Sequence, residues 1–115
     1  MNKYIVIFRI PVQSMDDWAK NVSPEERKKQ SEQMMSDWKT WSEKHKDAIV
    51  DGGTPLGKTK SVSKEGVKDV RNDLNYMMTI QAASHDEAAK IIADNPHLNI
   101  PSSFVDVMEV PHFGM

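Results

Sequence analysis

Two of the four histidines stand where a proton could be handled near neutral pH. His97 follows the expected end of a helix at Ala93-Asp94-Asn95-Pro96, and an imidazole there can serve as acid, base or donor to a ligand. The plainer reading, preferred here, is a side chain bonded to the last carbonyls of that helix. Asp94 is expected on the solvent side of the helix, paired with Lys90 at i,i+4. Asn95 points to the buried side, but an amide is no base. His45 falls on one arc with Met34, Trp38 and Trp41 at about 100° per residue, so it is either a pocket histidine or a boundary histidine favoured by the helix dipole. Trp38 and Trp41 could wall a planar ligand, with Met34, Met77, Met78 and Met108 adapting around it, although such residues at helical and strand spacing more often form core. Arg9 and Asp106 are charges in otherwise apolar strands; an ion pair is the plain reading, and an anion-binding Arg9 the functional one. The ligand-binding candidates are Arg9, Trp38, Trp41, His45 and His97, with His97 and His45 the candidates for proton transfer.

Other chemistries find less support. Histidines at 45, 85, 97 and 112 show no H-x₃-H spacing, so no metal is expected, and no Gly-rich phosphate loop points to a cofactor. The absence of cysteine removes disulfides, thiolate zinc sites and a thiol nucleophile together, and fits a cytoplasmic chain. Lys58, Lys60, Lys64 and Lys68 interleave with Glu65, Asp69 and Asp73, which describes a solvated loop before a phosphate-binding patch. A net charge of −2 argues against nucleic acid as a partner. The longest apolar run, Tyr4–Phe8, is far too short to enter a membrane.

The elements that must position these residues follow from patterning. Tyr4–Ile10 reads as a strand with apolar residues on both faces, closed by Pro11. A connector carrying Trp18 leads to Ser23-Pro24-Glu25-Glu26, a capping box with proline at the first helical position, and a helix over 24–46. Its apolar arc turns polar at Arg27, Gln30 and Ser31, so only its second half is expected on a core. Residues 48–51 read as a strand and Gly52-Gly53-Thr54-Pro55-Leu56-Gly57 as a turn. Residues 58–62 suit an edge strand, and the stretch to 73 an exposed hairpin or loop. Residues 75–82 form another strand, Ser84–Glu87 a second capping box, Ala88–Ala93 a helix ended by Pro96, and Phe104–Val110 the last strand.

The order β-α-β-(β)-β-α-β in residues 1–115 is that of one α+β domain of ferredoxin-like, split βαβ type, with an antiparallel sheet. Two helices cover one face of such a sheet, yet the first, fourth and last strands are apolar on both. Hydrophobic residues are only 38% of the chain, and a domain of this size buries about two thirds of its unfolded surface. A second copy, sheet facing sheet, is the simplest cover.

The Tyr4–Phe8 strand, Ser23-Pro24-Glu25-Glu26, the paired tryptophans, Gly52-Gly53-Thr54-Pro55-Leu56, Ser84-x-x-Glu87-Ala88, Asn95-Pro96-His97 and Val105–Val110 together resemble the YCII-related (DGPF-containing) family over residues 3–111. The resemblance implies a dimeric α/β barrel of ferredoxin-like subunits. One branch of that family uses a histidine of the first helix and an aspartate before a proline at the end of the second. Here the second position is Asn95, the first falls near Ser36–Asp37, and no Asp-Gly-Pro-Phe occurs in 58–73. The expected function is binding of a small organic molecule between helices and sheet. A cofactorless isomerase, lyase or oxygenase using a pocket histidine is one alternative, and a purely structural or regulatory dimer the other.

Overall fold

Alternating β-branched and aromatic residues build strand β1 (Asn2–Arg9), whose Tyr4, Val6 and Phe8 are buried while Ile5 and Ile7 are half-buried. The computed structural model describes residues 1–111; His112 lies outside the described residues. β1 is central. It pairs antiparallel with β5 (Leu74–Ala82) on one side and β6 (Phe104–Glu109) on the other, and β2 (Ile49–Pro55) completes the order β2-β5-β1-β6. This α+β arrangement is compatible with the ferredoxin-like pattern.

Among the described residues the helices number three, not two. Residues 12–21, read from sequence as a connector, form α1 (Val12–Asn21). Pro11 occupies its cap position and no side chain caps it, so the usual start signal is missing. α1 buries no residue and is tied down by polar contacts: the Trp18 indole N–H donates to Gln30 Oε1 at 2.6 Å, and Arg71 makes a forked pair with Asp16. α2 (Pro24–Lys44) begins as expected, with Ser23 Oγ accepting from the Glu26 N–H. It ends two residues early, leaving His45 as its C-cap. Only its second half meets the sheet, through Trp38 and Trp41. α3 (His85–Ile92) starts on Ser84, whose Oγ accepts from the Glu87 N–H, and a 3₁₀ turn follows over Pro96–Asn99.

The core lies between this face of the sheet and α2 and α3: Tyr4, Val6, Phe8, Met78, Ile80 and Ala82 against Trp41, Ala88 and Ile92, flanked by Trp38, Tyr76, Val105 and Val107. Side chains of alternate residues point the other way. Ile5 and Ile7 lie beside Thr79 and Met77 of β5 and beside Met108 and Asp106 of β6. Among them Met77 and Met108 are exposed, as are Leu74 and Phe104 beside Arg9 at the end of β1. No described element covers this second face.

Two further expectations change. The Gly52-Gly53-Thr54-Pro55 turn belongs to β2, which runs through it to Pro55 with two register shifts against β5. Gly53 adopts φ +88, and a Cβ there would lie 1.9 Å from the Met77 carbonyl oxygen, so the residue makes a bulge that only glycine fits. Residues 58–62 do not extend the main sheet. β3 (Thr59–Ser63) pairs with β4 (Gly66–Val70) as a separate hairpin.

The result is a broad slab of 47 × 44 × 19 Å with a radius of gyration of 16.1 Å, where about 13 Å is usual for this length. Its accessible surface is 8353 Å², against about 6,400 Å² for a compact chain of this mass. No helix among the described residues is long and apolar enough to cross a membrane.

Candidate functional site

Just past the last turn of α3, Asp94 reaches across to α2 and gathers three of its side chains. The Trp41 indole N–H donates to Oδ1 at 3.0 Å, the Lys44 ammonium pairs with Oδ2, and His45 Nε2 lies 3.0 and 3.2 Å from the two oxygens. Residues 41, 44 and 45 share one helical face, which is why a single carboxylate meets all of them. The Lys44 ammonium is the main cause of an Asp94 pKa below the usual carboxylate range; Trp41 and His45 add to it and burial opposes it. This aspartate is thus held as the anion. A carboxylate oxygen only accepts, so it is Nε2 of His45 that donates to Asp94, and Nδ1 faces away from it. Asp37, Thr40, Trp41, Lys44, Asp94, Pro96 and Asn99 line an open cleft of about 320 Å³ beside this cluster.

Sequence reasoning placed Asp94 on the solvent side, where it is indeed exposed, but paired it with Lys90; the structure corrects the pairing, because Lys90 meets Glu87 instead. The error came from continuing the α3 repeat past Ile92. Ala93 is the C-cap, and Asn95 leaves helical geometry ahead of Pro96, so Asp94, though exposed, turns toward α2 and away from Lys90.

The other candidates lie elsewhere. Trp38 is packed among rings, 5.0 Å from Phe8 and 5.6 Å from both Trp41 and Tyr76, and belongs to the core. His97 is buried in the same aromatic layer, edge-on to Phe8 at 5.2 Å. Its Nε2–H donates to the Arg9 carbonyl of β1 at 2.9 Å, not to the helix carbonyls anticipated for it. Its backbone N–H donates to Asn95 Oδ1 at 2.8 Å. Burial pushes the His97 pKa down, only partly offset by the carbonyls of Arg9 and Phe104, so the ring is held neutral. It works as a tie between the 3₁₀ turn and β1.

Arg9 projects from the opposite face of the sheet. Its Nε and Nη2 donate to Asp73 Oδ1 at 2.9 and 2.6 Å, its Nη1 donates to Asp106 Oδ2 at 2.8 Å, and its guanidinium lies 5.3 Å from the Phe104 ring centroid. The ion-pair reading of Arg9 and Asp106 is therefore the observed one. Both carboxylates raise the Arg9 pKa, Asp106 first. A single pocket cannot hold all five candidates, because the sheet stands between Arg9 and the rest. Trp41 and His45 are the two that meet at Asp94, and Asp94 and Lys44 are the partners that sequence reasoning missed.

His85, treated in the sequence only as part of a capping box, stacks on Tyr4 at 5.2 Å with Nε2 2.8 Å from the Val107 carbonyl. Among the described residues no three His, Asp or Glu side chains are grouped to hold a metal ion. No protein-family model and no curated protein matches the chain.

Proposed function

We propose that the chain works as a cytoplasmic homodimer, its two sheets stacked into an α/β barrel of the YCII-related kind, and that it binds a small organic molecule in the cleft beside Trp41. The observation that carries the ligand reading is Asp94. One carboxylate fixes the indole and the ammonium that line the cleft with it and holds an imidazole behind them, which is the mix of flat apolar surface and convergent polar groups that small-molecule sites use. The dimer reading is supported by the uncovered apolar face of the sheet and by the large accessible surface.

The test is a titration of labelled protein with small neutral and anionic aromatic fragments, followed by amide chemical shifts. Shifts confined to Thr40, Trp41, Asp94 and Asn99 support the site. Shifts elsewhere, or none at millimolar fragment, sink it. Sedimentation equilibrium at micromolar concentration tests the dimer; a mass of 13.1 kDa there removes that part.

A second reading, acid–base catalysis without a cofactor, is favoured by the His45–Asp94 contact at 3.0 Å. A carboxylate that fixes the tautomer leaves Nδ1 able to take a proton from a bound substrate. This reading predicts that His45→Gln keeps fragment binding while abolishing turnover. Unchanged turnover in that variant excludes it.

A further inference from the structure

We infer that the β3–β4 hairpin is an arm that clasps a second copy of this chain, seating Val62 and Val67 on its partner. The inference rests on the homodimer proposed above and goes beyond it by assigning part of the interface to a segment outside the main sheet.

The hairpin stands alone. It belongs to a two-stranded sheet of its own, and only Thr59 and Val70, at its base, are even half-buried. A lone two-stranded hairpin is marginal in water, because few side chains pack to offset the ordering of its backbone. Five residue pairs are nonetheless in register, from Thr59 opposite Val70 to Ser63 opposite Gly66. At 3.3 Å per residue the strands reach about 16 Å. Val62 and Val67 form the cross-strand pair next to the tip, on one face, and are 75% and 63% exposed. The neighbouring pair on that face, Lys60 and Asp69, is neutralised internally by a 2.7 Å ion pair. The face offered at the tip is thus apolar beside matched charge, a surface that meets another copy without like-charge repulsion.

Its base is fixed on the uncovered side of the sheet. Asp73, immediately before β5, accepts from Arg9, which projects from that face, and Asn72 donates to Thr59 Oγ1 at 3.1 Å to join the two ends of the hairpin. The arm is therefore continuous with the face proposed to meet the partner.

Area decides between an interface of sheet alone and one that includes the arm. The chain exposes 8353 Å², roughly 2,000 Å² beyond a compact chain of its mass. Two such chains would bury about 4,000 Å², within the range of obligate homodimers. Four strands about 4.8 Å apart and some 20 Å long have a footprint of only about 400 Å². Even twice that footprint leaves more than half of the excess on elements that stand clear of the core. Of these, α1 and the first half of α2 hold each other through Trp18, Gln30 and Arg27. The hairpin carries a paired apolar tip with no other described element of its own chain against it.

The experiment compares wild type with the double variant Val62→Asp, Val67→Asp by sedimentation, with far-UV circular dichroism to verify the fold and hydrogen exchange to follow the β3–β4 amides. The expected result is a wild-type dimer, at least a tenfold rise in dimer Kd in the variant with the spectrum unchanged, and hairpin protection that disappears on dilution. An unchanged Kd, or hairpin protection independent of concentration, overturns the arm while leaving the dimer. A wild type that is monomeric throughout overturns both.

Discussion

Replacing Asp94 separates its role as an acceptor from its role as a charge. In Asp94→Ala the Trp41 indole N–H, on a side chain buried against the sheet, loses the acceptor 3.0 Å away. A buried donor left unpaired costs about 1–3 kcal/mol. The Lys44 pair is exposed at both ends, and such pairs are worth only about 0–1 kcal/mol. With a smaller loss at His45, Asp94→Ala should lower stability by roughly 1–4 kcal/mol. Asp94→Asn keeps an oxygen for Trp41 and gives up mainly the Lys44 attraction, so its cost should stay below about 1 kcal/mol. Urea unfolding at fixed protein concentration reads both. The wild type also carries a pH signature. The Asp94 pKa is depressed in the folded state, chiefly by Lys44, so its contribution is complete above the ordinary carboxylate value near pH 4 and is lost as pH falls through the depressed one. The wild-type advantage over Asp94→Asn should therefore shrink in acid. Equal costs for the two variants, or a difference that grows as pH falls, would refute the view that one carboxylate serves a buried indole and an ammonium together.

Four further variants test the geometry. Gly53→Ala should cost at least ~2 kcal/mol in urea unfolding, because it combines left-handed backbone with a Cβ driven into the Met77 carbonyl. Gly52→Ala, with no atom within 4 Å of the added methyl, should change stability by less than about 0.5 kcal/mol. His97→Phe keeps the aromatic packing on Phe8 but removes the imidazole hydrogen bond to the Arg9 carbonyl, for a loss of about 0.5–1.5 kcal/mol at neutral pH. Because burial holds the folded His97 pKa down, its contribution is full above about pH 6.5 and falls as the unfolded chain takes up the proton below that, so the gap between wild type and His97→Phe should narrow on acidification. Ile7→Lys places an ammonium at the centre of the uncovered sheet face and should give a folded monomer by sedimentation, while an undiminished dimer would put the interface elsewhere.

Local signals with their own physical mechanism were legible in the residues. The boxes at Ser23 and Ser84 both cap as expected, and the polar turn of the α2 arc at Arg27 and Gln30 marks where that helix leaves the core. Alternation in β1 and β5 sorted their side chains onto the two faces of the sheet that they take. Features fixed by the meeting of distant segments were not legible. α1 begins without a side-chain cap and buries nothing, so neither end nor face announces it. Two glycines before a proline suit a turn as well as a bulge, and the bulge is selected only by the close approach of Met77. Asp94 required knowledge of where α3 stops. The side of the sheet that Arg9 takes was implicit in its alternation with Phe8, and grouping it with the helix-face residues overlooked that period of two.

The irregular course of β2 has a bearing on how the molecule behaves when concentrated. An open sheet invites another strand to add to its edge, and long regular edges seed fibres. At this edge the ladder is out of step, Gly53 is turned left-handed, Pro55 has no N–H to give, and the Gly52 carbonyl is already taken by the Tyr76 hydroxyl at 2.6 Å. A foreign strand finds no run of free donors and acceptors there. Growth by strand addition is therefore blocked along β2, which leaves β6 as the sheet edge with a regular ladder.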